Sequence, residues 1–219
     1  MITAVSRQNR TLIDALVPYR GIWVDIATVI VGSLVIAAFA QLKYTLPTTA
    51  VPITGQTFAV LLVAATVGSK RGGFAAVLYL FEGSAGLPFW AGGASGTIWS
   101  IVSGGYIVGF VLAAYLVGLL AERGWDRRAS VSLAMLVGNV GIYAIGLPWL
   151  AIFIASGTTI PGFDLTYYDA ISGSNVLDKT LKGGLYPFIG GDALKLLLAA
   201  MVLPGAWALV GRARGARPR

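Results

Sequence analysis

The sequence contains neither cysteine nor histidine. Disulfides, thiol nucleophiles, Cys/His metal centres and any Ser-His catalytic pair are therefore excluded, and no metal or cofactor is expected. Charge is scarce as well. Asp, Glu, Lys and Arg together make up 11% of the 219 residues, whereas soluble domains carry about 25%. No Gly-Lys dipeptide occurs, so the chain has no P-loop and is not itself a P-loop ATPase. The polar stretch 1–20 lacks the apolar core of a signal peptide, which leaves the first apolar helix to target the chain.

What is present is mostly apolar. Hydrophobic residues reach 57% and the mean hydropathy is +0.79, the composition of an all-α integral membrane protein. The 29 glycines suit closely packed membrane helices. A span needs ~20 mostly apolar residues, and six segments approach this: 22–42, 56–67, 72–85, 104–121, 130–155 and 188–210. The second and third are short, and only Gly68-Ser69-Lys70-Arg71 separates them, as in a tight helical hairpin.

The basic residues order these segments. With the N-terminus inside, twelve of the sixteen fall on the cytoplasmic side: Arg7, Arg10, Arg20, Lys70, Arg71, Arg123, Arg127, Arg128, Arg212, Arg214, Arg217 and Arg219. Lys43, Lys179 and Lys182 fall outside, and Lys195 lies in the membrane zone. This asymmetry predicts six spans with both termini cytoplasmic. The net charge of +7 then reflects topology rather than nucleic-acid binding. The expected organisation is a cytoplasmic segment 1–21, a membrane domain 22–210 and a basic cytoplasmic tail 211–219. Pro47 and Pro52 keep the first outer connection extended. Residues 83–121 carry no charge, and Gly86, Pro88, Gly92, Gly93 and Gly96 break the first part into an external or re-entrant loop. Residues 156–186 form a polar outer loop with Asp164, Asp169 and Asp178.

Candidate ligand contacts follow from polar groups in apolar surroundings. Asp192 and Lys195 stand three apart in Gly190-Gly191-Asp192-Ala193-Leu194-Lys195, on one helix face. Each costs about 2.5–3.5 kcal/mol at a bilayer centre, so an inward pair holding a polar ligand is one reading. The other makes Asp192 an N-cap and lets Lys195 snorkel outward, although a first-turn cation opposes the helix dipole. Gln56 follows Thr54, itself a natural N-cap. Glu82 ends the third segment, either as a ligand contact or as an interfacial carboxylate. Ser103-Gly104-Gly105-Tyr106 permits close approach and supplies an aromatic. Asn139 and Tyr143, four apart, share a helix face and can bond another helix or a ligand. Trp90, Trp99 and Trp149 suit an interfacial belt, and Asp25 suits a first-turn dipole partner. Ser33 and Ala37 form a small-x-x-x-small pair for close packing, within the chain or against another protein.

These motifs resemble the BioY family. The resemblance rests on the stretches Pro52-Ile53-Thr54-Gly55-Gln56-Thr57-Phe58-Ala59-Val60-Leu61-Leu62 and Leu78-Tyr79-Leu80-Phe81-Glu82-Gly83-Ser84-Ala85-Gly86-Leu87-Pro88, then Ala91-Gly92-Gly93. Gly104-Gly105-Tyr106-Ile107-Val108-Gly109-Phe110, Leu120-Ala121-Glu122-Arg123-Gly124 and the Asp192/Lys195 motif continue it in order. The resemblance implies the six-helix fold of an energy-coupling factor (ECF) S-component in the cell membrane. It also implies a biotin site near the outer face, with uptake powered by a membrane coupling subunit and two ABC ATPase subunits. The family's Asp and Lys fall on Asp192 and Lys195. Its Ala-x-x-x-Ala contact with the coupling subunit falls nearest Ser33/Ala37. Some members carry an amide in the Gly-rich loop, where this chain has Gly92-Gly93. On this reading the substrate-binding residues are Asp192, Lys195, Gln56, Glu82, Trp90, Tyr106, Asn139 and Tyr143.

Biotin offers two ureido N–H donors, a ureido carbonyl, an apolar thioether ring and a carboxylate tail. Asp192 would accept from an N–H, Lys195 would serve the carbonyl or the carboxylate, and Tyr106, Trp90 and Tyr143 would pack the ring. The chain is thus expected to be a transport subunit rather than an enzyme, surrounded by lipid. An S-component for a different vitamin and a stand-alone secondary biotin transporter are the alternatives. An intramembrane aspartyl protease fits poorly, because Asp169 lies in a polar loop and Ile189 breaks the Gly-x-Gly-Asp pattern.

Overall fold

The computed structural model describes residues 11–17, 21–46, 49–127 and 130–215. Arg7, Arg10, Arg20, Pro47, Arg128, Arg217 and Arg219 lie outside the described residues, as does the side chain of Arg214. The elements run α1 (Leu12–Leu16), α2 (Ile22–Ala40), β1 (Lys43–Tyr44), β2 (Ile53–Thr54), α3 (Gln56–Val67), α4 (Ser69–Ser84), α5 (Gly104–Glu122), α6 (Ser130–Ala155), α7 (Tyr167–Ala170), α8 (Val176–Gly184) and α9 (Tyr186–Gly215). Short 3-10 turns stand at Ile98–Ser100 and Trp125–Arg127.

Four stretches are long and apolar enough to cross a membrane: Ile22–Ala40, Gly104–Glu122, Ser130–Ala155 and the run Val176–Arg212 that includes α8 and α9. By their lengths α3 and α4 rise only ~18 and ~24 Å, short of a ~30 Å hydrocarbon layer. The outer faces of the long helices expose Trp23, Val31, Val140, Ile152, Leu197 and Met201. A soluble domain hides such a surface, whereas a membrane protein turns it to lipid.

The segment boundaries differ from the sequence expectations mainly where polar residues extend an apolar core. The helix expected at 188–210 starts at Tyr186 and runs to Gly215. Pro187 sits in its first turn, where a missing N–H costs nothing. Asp192 is therefore inside the helix rather than an N-cap, and Lys195 is well past the first turn. The polar outer loop contains α7 and α8, each started by a side-chain cap: Thr166 accepts from Asp169 N, and Asn175 from Asp178 N.

The enclosed centre is α5, which packs on α3, α4 and α6. Its small residues allow this. α3 turns into α4 through the single residue Gly68, at φ +93°, a conformation that favours glycine. The turn seats directly on α5, since a Cβ added at Gly118 would stand 2.4 Å from Gly68 C and Ser69 N. Glu122 at the end of α5 accepts from Ser69 N at 2.7 Å and from Ser69 Oγ at 2.8 Å. It thereby satisfies donors that the start of α4 would leave orphaned.

The end carrying α1 and the Gly68 turn is laced by charge. Arg71 donates to Asp14 at 2.9 Å and to Asp25 at 2.7 Å, joining α1, α2 and α4. Asp25 does stand in the first turn of α2, with this second role added. Trp207 Nε1 donates to the buried Asp126 at 2.5 Å, and Arg127 lies over the Trp207 ring at 4.1 Å. Burial pushes the Asp126 carboxyl up, and the Trp207 bond pulls part of the way back.

Candidate ligand-binding site

At the opposite end the chain closes over a cavity of about 220 Å³. At about 10–15 Å³ of such space per water, this is room for a small organic molecule. Four helices supply the walls. Gln56 and Thr57 come from α3, and Tyr106, Ile107 and Phe110 from α5. Asn139, Ile142 and Tyr143 come from α6, and Phe188 and Lys195 from α9. The cover has three parts: the β1–β2 hairpin with Lys43, Val51, Pro52 and Thr54, the Gly-rich segment with Trp90, Ala91 and Ala94, and the outer loop with Pro161 and Tyr167.

Lys195 is the organised cation of this wall. Its Nζ donates to Thr57 Oγ1 at 2.6 Å and to Asp192 Oδ1 at 3.1 Å. An ammonium has three donors, so one remains for a ligand. Asp192 stands behind the wall rather than among its lining residues. Its second oxygen accepts from Tyr143 Oη at 2.5 Å, so both carboxylate oxygens are engaged. In this conformation Asp192 holds Lys195 and Tyr143 in place, and direct acceptance from a ligand N–H would require an exchange of partners. Tyr143 meets Tyr106 edge-to-face at 6.2 Å, and Tyr106 Oη donates to Gly184 O at 2.9 Å. The two rings thus form a fixed apolar corner beside a cation.

Asn139 is buried and lines the cavity, yet its amide has no hydrogen-bond partner among the described residues. Buried amides are nearly always satisfied, so its donors and acceptor are available to whatever fills the space. Gln56 is more committed. Its Nε2 donates to Tyr79 Oη, and its Oε1 accepts from Thr54 Oγ1 at 2.9 Å. Tyr79 in turn donates to Phe89 O at 3.1 Å. A hydrogen-bonded line therefore runs from the hairpin through α3 and α4 to the Gly-rich segment. The N-cap position of α3 is Gly55, while Thr54 Oγ1 accepts from Gln56 N at 3.3 Å.

Trp90 is buried against Gly83, where an added Cβ would come within 1.9 Å of its indole nitrogen. It serves as a wall and packs the Gly-rich segment onto α4. Glu82 and the pair Ser33/Ala37 lie elsewhere. Glu82 Oε1 accepts from Ser33 Oγ at 3.4 Å, away from the cavity lining. Ser33 and Ala37 are buried, on a helix that packs against α3 and α4. Their small size lets α2 approach its own neighbours in this conformation, instead of presenting a surface to another protein.

Sequence reasoning did not single out Lys43, Thr57, Tyr79, Tyr167 or Phe188. Thr57 and Tyr79 sat inside quoted motifs, but helical spacing did not mark them: Thr57 adjoins Gln56 on a different face, and Tyr79 lies one turn from Glu82, which is away from the cavity lining. Nothing local distinguishes Lys43, because its place depends on the pairing of β1 with β2.

Fold and cavity together define a helical membrane protein that encloses a pocket for a small, partly polar molecule. The chain belongs to the BioY family, whose model matches residues 10–212. A crystal structure of the S-component for biotin from an ECF-type ABC transporter shares its fold, with a TM-score of 0.66 at 18% identity over 91% of this chain and 96% of that one. No curated protein matches the chain.

Proposed function

We propose that the chain is the biotin-capture subunit of an ECF-type importer, binding the vitamin in the cavity between α3, α5, α6 and α9. The observation that carries this is the pairing of unsatisfied polar groups with apolar walls. The Asn139 amide is unpartnered and Lys195 has a donor to spare, while Tyr106, Tyr143, Trp90 and Phe188 supply ring surfaces. Biotin has this division: a ureido group that donates and accepts, fused to an apolar ring. Charge-assisted hydrogen bonds add roughly 1.5–3 kcal/mol each, so two or three support tight binding in an otherwise apolar pocket. Membership of the BioY family and the fold shared with a biotin S-component support the choice of ligand.

The chain sits in the cell membrane with six spans and both termini cytoplasmic, as the distribution of basic residues favours. The short α3–α4 hairpin counts as two of the spans. A membrane coupling subunit and two ABC ATPases supply the energy, since this chain has no nucleotide motif. It acts as a transport subunit without catalysis, cofactor or metal. Release of biotin requires the β1–β2 hairpin to move off the cavity.

Titration of the purified protein with biotin tests the reading. A dissociation constant in or below the micromolar range is expected, and a weaker one counts against it. Lys195→Met should weaken binding by ten-fold or more, in line with loss of one charge-assisted bond. A Lys195 that only snorkelled would leave the affinity unchanged.

A further inference from the structure

Two cations and no carboxylate are among the residues lining the cavity. One cation is compensated, since Lys195 pairs with Asp192 at 3.1 Å and its side chain is only 17% exposed. The ammonium of the other, Lys43, has no ion pair and no hydrogen bond among the described residues, and the residue is exposed at the cavity mouth. The charge left over in this site therefore sits on the cover rather than on the floor.

The chain places Lys43 with some care. It lies in β1 opposite Thr54, another lining residue, in the antiparallel pair. Its stem passes over Gly92, where an added Cβ would meet Lys43 Cδ at 2.7 Å and Nζ at 3.4 Å. Gly92 has φ +67°, and its N–H donates to Ala40 O at 3.1 Å, just ahead of β1. Any other residue at 92 would be strained and would displace the lysine.

We infer that Lys43 captures the carboxylate of the ligand. This rests on the biotin reading above and deepens it. The acid tail points to the mouth and the ureido ring lies inward, toward Asn139 and Lys195. A biotin carboxylate is ionised at neutral pH, as carboxylic acids are, and an ammonium at the mouth answers it with a charge-assisted bond. The same contact ties the hairpin to the bound ligand, so the cover is held shut only when an acid is inside. Lys43 thus sets the preference for an anionic tail, while the inner wall sets the preference for the ring.

The test compares biotin with biotin methyl ester on the full chain, for the unchanged protein, Lys43→Gln and Lys43→Arg. The unchanged protein should bind biotin about ten-fold more tightly than the ester, a modest ratio because the contact is exposed to solvent. Lys43→Gln should lose that preference, with its affinity for the ester unaltered, and Lys43→Arg should retain it. Thermal unfolding of each unliganded variant checks that the fold persists. Equal binding of acid and ester by the unchanged protein, or an equal loss of both in Lys43→Gln, overturns the role of Lys43 and leaves the biotin reading standing. Failure of the unchanged protein to bind either compound overturns both.

Discussion

At the scale of single residues, the site divides its polar groups into those that meet the cavity and those that position them. Asp192 belongs to the second set, because Lys195 and Tyr143 take both of its oxygens. Tyr79 does the same for Gln56, as a buried hydroxyl that accepts from the Gln56 amide and donates to Phe89 O. Tyr79→Phe keeps the ring and removes both bonds. Biotin affinity should fall by roughly five-fold, the value of one net hydrogen bond. In a Gln56→Ala background the same change should do almost nothing, because Tyr79 acts through Gln56. Additive losses in the double mutant would mean that Tyr79 supports the fold at large. The identities of Asp192, Lys195, Gln56 and Asn139 were all legible in the sequence as polar residues in apolar helices. Their division of labour was not, because it depends on which atoms face each other across three helices.

At the scale of elements, close approach is what lets short helices form a closed wall. The Gly68 turn lies against Gly118, with no room for a Cβ between them. Gly118→Ala must push the α3–α4 hairpin outward, and backbone gives way less easily than a side-chain tip. Destabilisation of about 1–3 kcal/mol is expected, the usual range for overpacking. A lowered midpoint of thermal unfolding in detergent reads it out. Because α3 also carries Gln56 and Thr57, biotin affinity should fall with it. The apolar cores of all six main helices were legible in the sequence, since composition and charge placement define them. Their ends were less so. α9 begins two residues before its expected start and continues to Gly215 because Pro187 is compatible with a first turn and arginines are good helix formers. The small capped helices α7 and α8 were read as loop, because their polarity masked them.

At the scale of the whole molecule, the structure has a laced end and a covered end. Arg71 with Asp14 and Asp25, Glu122 with Ser69, and Trp207 with Asp126 hold the first together. The second is roofed by a two-residue-long strand pair and a Gly-rich segment. The proposed release of biotin requires this roof to move off the cavity. The chain has no native cysteine, so one cysteine placed in 49–54 and one in 91–96 can be joined by a bifunctional reagent without side reactions. Cross-linking in the presence of biotin should block uptake by cells that supply the partner subunits, and leaving either cysteine alone should not. Undiminished uptake after complete cross-linking would rule out the hairpin as the moving cover.

Composition, charge asymmetry and motif order were sufficient to define a helical membrane protein of the BioY type, because those properties depend on solvent preference and local spacing. Tertiary structure decided the rest. It turned Ser33 and Ala37 inward, took Glu82 out of the cavity lining, set Asp192 behind Lys195 and brought Lys43 over Gly92 to the mouth. Each of these depends on pairing between residues far apart in the chain, which no local pattern encodes. Lys195 shows both halves: its cost in an apolar helix marked it in the sequence, and Thr57, 138 positions away, shows where its charge is held.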